Sequence, residues 1–176
     1  MIVRRAFLLG SASLALPASA FAAEDGPPLP PLLSALGALT LTRADGAPTT
    51  LSAELTPGPA IISFWATWCA PCVPEARHLA RLRAEIAPER LNILGVNLDR
   101  TRDEAAIARF LERARVNYAQ ARGDAALYQA FGNGPQIALP RAYVFAADGA
   151  PVAAFGRYNG GATLRALDRA VAGVLA

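Results

Sequence analysis

Ala60-Ile-Ile-Ser-Phe-Trp65 is a short apolar run rich in β-branched and aromatic residues, and Trp68-Cys69-Ala70-Pro71-Cys72 follows at its carboxyl end. A run of this length is the pattern of a strand buried on both faces. Beyond the cysteines, Ala76, Leu79, Leu82 and Ile86 recur at helical spacing and mark one apolar face of a helix that stops before Pro88. The turn from buried strand to helix therefore passes through the only two cysteines of the chain, so a framework of several disulfides is excluded. With 176 residues, 53% hydrophobic and 18% charged, the chain has material for one compact core. That balance excludes disorder of the bulk. No apolar run outside the N-terminus is long enough for a multi-span membrane protein.

The strand-then-helix grammar repeats. Leu91 to Asn97 reads as a second buried strand, and Thr101-Arg102-Asp103-Glu104 as a capping box opening a helix with Ile107, Phe110, Leu111 and Ala114 inward. Further on, Ala142 to Phe145, a turn at Asp148-Gly149, and Val152 to Phe155 read as a hairpin. A last helix from Thr163 carries Leu164, Leu167, Val171 and Val174 inward. Ahead of these elements, Leu39-Thr40-Leu41 and Thr50-Leu51 flank the turn Ala44-Asp45-Gly46 as a short antiparallel hairpin. The order β-α-β-α-β-β-α, preceded by that hairpin, predicts an α/β fold with a mixed central sheet and helices on both faces.

Residues 1–22 have a charged start at Arg4-Arg5, an apolar run from Ala6 to Leu16, and a tail of small residues, the layout of an export signal. The paired arginines fit a twin-arginine signal; an ordinary export signal or an uncleaved N-terminal anchor are the alternatives. Residues 23–35 read as a Pro-rich linker and 36–176 as the domain. All 17 basic residues are arginine, against 14 acidic ones, so removing Arg4 and Arg5 leaves a mature charge near +1. The remaining arginines form no run, which argues against a nucleic-acid partner. The expected destination is the periplasm, an oxidising compartment.

Two intervening residues within a first helical turn bring the sulfurs within disulfide reach. A cysteine at a helix N-terminus meets unpaired backbone N–H groups and the positive dipole end, which lowers the Cys69 pKa from roughly 8.5 to about 5.5–7.5. Cys72, expected one turn in and less exposed, stays protonated until needed. This asymmetry defines an exchange in which Cys69 attacks a substrate disulfide and Cys72 then displaces the substrate from the Cys69 sulfur. Pro71 suits a helix start because it has no N–H to leave unpaired, and Trp68 is placed to shield the sulfur. Zinc needs four ligands, and His78 is the only nitrogen partner available. His78 shares its predicted helix side with Arg81 and Glu85 and reads as a solvated surface residue, so no metal site is expected.

The segment Phe64-Trp65-Ala66-Thr67-Trp68-Cys69-Ala70-Pro71-Cys72-Val73-Pro74-Glu75 resembles the active-site stretch of the thioredoxin superfamily, in particular its exported TlpA/ResA-type thiol-disulfide oxidoreductases. The resemblance runs from about Leu36 to Leu175. It implies a thioredoxin-like fold, a reductase-type role, no bound organic cofactor beyond the Cys69–Cys72 disulfide, protein disulfides or dithiols as substrates, a membrane electron donor, and a monomer. Glu75 matches the family's acidic residue near the pair, which could accept the Cys72 proton; the alternative is an exposed first-turn glutamate favouring the helix dipole. Leu139-Pro140 matches the family's cis-proline, which faces the cysteines and leaves a backbone edge for a peptide; an ordinary trans proline is the alternative. Gly156 corresponds to a family glycine with a steric role. Ser63 stands where cytoplasmic thioredoxins carry a buried aspartate, Arg77 replaces a helix-kinking proline, and Leu139 and Arg141 flank Pro140 where threonine is frequent. Within this resemblance the leading function is reduction of protein disulfides, in cytochrome c or copper-site maturation. A disulfide oxidant of the same fold and a thiol-based copper(I) chaperone remain alternatives.

Overall fold

The computed structural model describes residues 27–176. The predicted leader and the start of the linker lie outside the described residues. A short helix α1 (Leu33–Leu36) precedes β1 (Thr40–Arg43) and β2 (Pro48–Thr50), followed by a 3-10 turn at Ser52–Glu54. Then come β3 (Ala60–Trp65), α2 (Cys72–Glu85), β4 (Asn92–Asn97), α3 (Glu104–Ala114), β5 (Ala119–Arg122) and α4 (Ala125–Ala130). The chain closes with β6 (Arg141–Phe145), β7 (Pro151–Phe155) and α5 (Gly161–Leu175).

The strands form a 7-stranded sheet in the order β2-β1-β5-β4-β3-β6-β7. β3 pairs parallel to β4, and β4 parallel to β5. β6 runs antiparallel to β3 on the other side, and β7 antiparallel to β6. All six residues of β3 are buried, as the central strand of a sheet covered on both faces requires, and Ser63 is the one polar residue among them. One face of the sheet packs Ile62, Phe64, Leu94, Val96 and Tyr143 with Leu127, Tyr128 and Phe131 from the α4 region. Phe64 is the centre of that layer, meeting the rings of Tyr128, Phe131 and Tyr143 edge-on at 5.0–6.1 Å between centroids. The other face sets Ile61, Ile93, Ala142 and Val144 against α2 and α5. A third cluster, Trp65, Ala66, Val73, Ala76, Phe110 and Ala114, surrounds the two cysteines beneath α2 and α3.

Several expectations need correction. β5 and α4 were not anticipated. Ala119-Gln-Ala-Arg122 has no β-branched or aromatic residue, and its strand form comes from pairing with β4 and β1. α4 is short, and its start is fixed by the Asp124 carboxylate accepting from the Leu127 N–H at 2.8 Å. The cap of α3 is Asp103, which accepts from the Ala106 N–H at 2.9 Å, rather than Thr101. α5 begins at Gly161, ahead of Thr163. Not all of the supposed linker is free of the domain: Pro30 is buried, and the Leu33 N–H donates to the Gly149 carbonyl at 2.9 Å. α2 runs unbroken past Arg77 to Glu85, before Pro88.

Replacing Phe64 with alanine removes the ring on which three others converge. The expected cost is about 4 kcal/mol, read as a lower urea midpoint of the oxidised protein at unchanged denaturant slope.

Candidate active site

The cysteines sit where β3 gives way to α2. The Cys69 N–H donates to the Ala66 carbonyl at 3.1 Å and the Cys72 N–H to the Cys69 carbonyl at 3.1 Å, so residues 66–72 coil as successive turns into the helix. The two are joined as a disulfide with Cα atoms 5.3 Å apart. α2 starts at Cys72 with Pro71 as its cap residue, so Cys69 lies in the turn before the helix, and Cys72 is its first residue rather than one turn in. Both cysteines are buried, at 3% and 1% exposure, whereas Trp68 stands out into solvent at 62%.

Glu75 lies three residues after Cys72, on the same inward side of α2, and is 2% exposed. The Ser63 hydroxyl on β3 donates to Glu75 Oε1 at 3.0 Å. Burial pushes the carboxyl up to about 7, and the hydrogen bond from Ser63 partly offsets that rise. The alternative of an exposed first-turn glutamate is excluded by this position.

The Leu139–Pro140 peptide is cis, and Pro140 is buried. Because Phe64 pairs with Arg141, Pro140 comes to the same end of the sheet as the dithiol. Leu139 packs against both the cysteine cluster and the α4-side core. A Cβ on Gly156 would meet the Arg141 guanidinium, the far end of a flexible side chain, and Pro27 Cδ at 3.3 Å.

Two groups of polar residues escape sequence reasoning. Asp99, just past the end of β4, accepts from the Thr67 backbone N–H at 3.1 Å, from the Thr67 hydroxyl at 3.0 Å and from the Asn97 amide at 2.8 Å. It clamps the loop two residues ahead of Cys69. Gln120 on β5 accepts from the Trp65 indole N–H at 2.9 Å, and Trp65 in turn stacks on Phe110 at 4.0 Å between centroids. The only sequence signal for either was a polar side chain beside a strand otherwise read as apolar or not read at all.

His78 is buried, contrary to its reading as a solvated residue. α5 covers that flank of α2, and Nε2 meets Asp168 Oδ1 at 2.6 Å while Arg81 donates to Nδ1 at 2.8 Å. Nδ1 thus accepts, and the ring proton sits on Nε2. Among the described residues no group of three or more His, Cys, Asp or Glu side chains could hold a metal ion. None of their helices is long and apolar enough to cross a membrane.

Comparison with known proteins places this geometry. The thiol-disulfide oxidoreductase ResA of Oceanobacillus iheyensis is 33% identical over 58 residues, which cover 33% of this chain and 29% of that protein. A secreted Mycobacterium tuberculosis disulfide oxidoreductase homologous to E. coli DsbE superposes with a TM-score of 0.61 at 22% identity, over 77% of this chain and 96% of that one. A putative thiol:disulfide interchange protein DsbE from Chlorobium tepidum gives 0.64 at 20% identity, over 80% and 96%. These superpositions establish the thioredoxin-like fold. The profile of the AhpC/TSA family matches residues 34–150, and the chain belongs to that family, as a domain of the thioredoxin superfamily.

Proposed function

We propose that this chain is an exported, periplasmic thiol-disulfide oxidoreductase that reduces protein disulfides, with Cys69–Cys72 as its redox centre and no organic cofactor. Its proposed setting is the reduction of cytochrome c or copper-site cysteines, with electrons returned by a membrane donor. The observation that carries the reductant reading is the buried Glu75 carboxyl behind Cys72, together with the apolar packing of both sulfurs. Each disfavours a thiolate on Cys72, the cysteine next to Glu75. A reduced form in which Cys72 stays a thiol gains less from thiolate stabilisation than one with both sulfurs ionised, which makes the dithiol a stronger reductant.

The Cys69 thiolate attacks one sulfur of the substrate disulfide, forming a mixed disulfide and expelling the first substrate thiolate. Cys72 then gives its proton to the Glu75 carboxylate, and its sulfur attacks the Cys69 sulfur. The bond to substrate breaks, and the second substrate thiolate leaves with that electron pair. The substrate has gained two electrons and the protein has recovered its disulfide. Trp68 and the backbone beside cis-Pro140 are the surfaces offered to the substrate chain.

Equilibration of the full chain with glutathione or dithiothreitol buffers should give a reduction potential near the thioredoxin value of about −270 mV. A potential near about −120 mV would make it an oxidant. The Cys72→Ser variant should accumulate mixed disulfides through Cys69, visible on non-reducing gels, and failure to trap any substrate would remove the exchange mechanism.

Glu75 ionises near 4.5 when exposed and near 7 in the fold. Between those values the folded state keeps a proton the unfolded chain has lost. The Glu75 contribution is therefore fully favourable below about pH 4.5 and is lost as pH rises through about 7, a total of about 3 kcal/mol. Urea unfolding of the oxidised protein across pH 4–8 should show this fall relative to Glu75→Gln, which lacks it.

A further inference from the structure

The sheet is hollowed in one row beneath α2. Ser63 on β3 pairs with Gly95 on β4 and with Ala142 on β6, so three neighbouring strands present small residues side by side. Gly95 pairs on its other side with Gln120, whose amide lies over the glycine in the space a Cβ would need. Residues flanking this row along the inner strand are large: Ile61 on one side of Ser63 and Trp65 on the other. Into the hollow comes the Glu75 carboxyl, and the hydrogen bond it receives there is the one from Ser63 at 3.0 Å. Ser63 and Glu75 are 4% and 2% exposed, so the pair is shielded from bulk solvent in the folded state.

We infer that Ser63 is a positioning residue, whose hydroxyl holds the Glu75 carboxyl in the hollow and tunes it for proton exchange with Cys72. The inference rests on Glu75 acting as the Cys72 proton acceptor, as proposed above. A hydroxyl donor interacts more strongly with a carboxylate than with the neutral acid, so it favours the proton-accepting form that burial opposes. One oxygen of the carboxyl is tied to Ser63, which leaves Oε2 for the Cys72 proton. The titratable group that faces Glu75 from beyond the sheet row is Tyr118, ahead of β5, and burial pushes its phenol well above the usual range, so it stays neutral. In the transfer the Cys72 S–H bond breaks and the proton passes to Glu75. The freed sulfur pair makes the bond to the Cys69 sulfur, and the departing thiolate carries off the electrons of the bond it leaves.

The test loads reduced protein at Cys69 with thionitrobenzoate and follows its release by Cys72 across pH 5–9. In the wild-type chain the release rate should rise with pH through an inflection near 7. Ser63→Ala should move that inflection up by about one unit, lowering the rate at neutral pH about fivefold. In the Glu75→Gln background the same substitution should change nothing further. If Glu75→Gln keeps the inflection, Glu75 is not the acceptor and the inference falls with that reading. If Glu75→Gln abolishes the inflection but Ser63→Ala leaves it in place, the role of Ser63 alone is overturned. An equal rate loss from Ser63→Ala in both backgrounds would mark a purely structural residue and overturn it as well. Ser63→Ala removes a single oxygen from a small side chain, and its urea midpoint checks that the fold is intact.

Discussion

The pairing of β3 with a parallel neighbour on one side and an antiparallel neighbour on the other determines where the chemistry can sit. Parallel β4 ends where β3 ends, and antiparallel β6 begins there. The carboxyl ends of two strands and the amino end of a third therefore meet on one rim of the sheet. Cys69 and Cys72 leave β3 at that rim, Asp99 leaves β4, and cis-Pro140 enters β6. The cysteine pair, Asp99 and Pro140 are far apart in sequence, and no loop has to travel to bring them together. Burial of β3 on both faces then makes the arrangement rigid, because a one-residue slip of register would exchange Phe64 and Ile62 with Ser63 and Trp65 across the sheet.

Such a rim brings polar groups close to an apolar interior, and Asp99, Trp65 and His78 each find a partner there, whereas Arg122 Nη1 and Arg141 Nε are buried without one. Asp99 spends its carboxylate on Thr67 and Asn97, which fixes the loop leading to Cys69. The Trp65 indole finds Gln120, so its ring can remain stacked on Phe110 beside the disulfide. His78 joins α2 to α5 through Asp168, tying the helix that bears Cys72 to the C-terminal helix. A buried polar group without a partner costs on the order of 1–3 kcal/mol. Each of these contacts therefore preserves a geometry that the dithiol uses.

The apolar strands and the long amphipathic helices were legible because their periodicity is dictated by burial. β3, β4, α2, α3 and the β6–β7 hairpin follow from residues that have no other place to go. β5 carries little of that information: its strand state depends on β4 and β1 as neighbours, and Gln120 faces a glycine that no local pattern identifies. α4 is too short for periodicity to emerge, although Asp124 ahead of an apolar pair is a cap signal that could have been read. His78 failed for a different reason. Its own helix suggested a polar side, and only α5, nearly a hundred residues later, covers it. The cysteine motif, Glu75 and the Leu139–Pro140 step were recognisable from local residues and the resemblance they carry. What Glu75 touches was not, because its partner Ser63 belongs to another element.

The position of Cys72 as the first residue of α2 bears on how the two sulfurs come to differ. An asymmetry drawn from the helix dipole alone assumes one cysteine at the tip and the other a turn inside. Here both lie within the first turn or just ahead of it, where the positive end of the helix favours either thiolate. The difference has to come from what lies beneath. Glu75 is on the inner side of the helix, three residues from Cys72, and its negative form opposes a second negative charge nearby, while its site in the hollow leaves it ready to take a proton near neutrality. The proposed exchange uses this difference, with Cys69 as the attacking sulfur and Cys72 as the one that gives up its proton during attack. In the proposed mechanism the division of labour between the cysteines rests on the Glu75 carboxyl, because their spacing alone does not produce it.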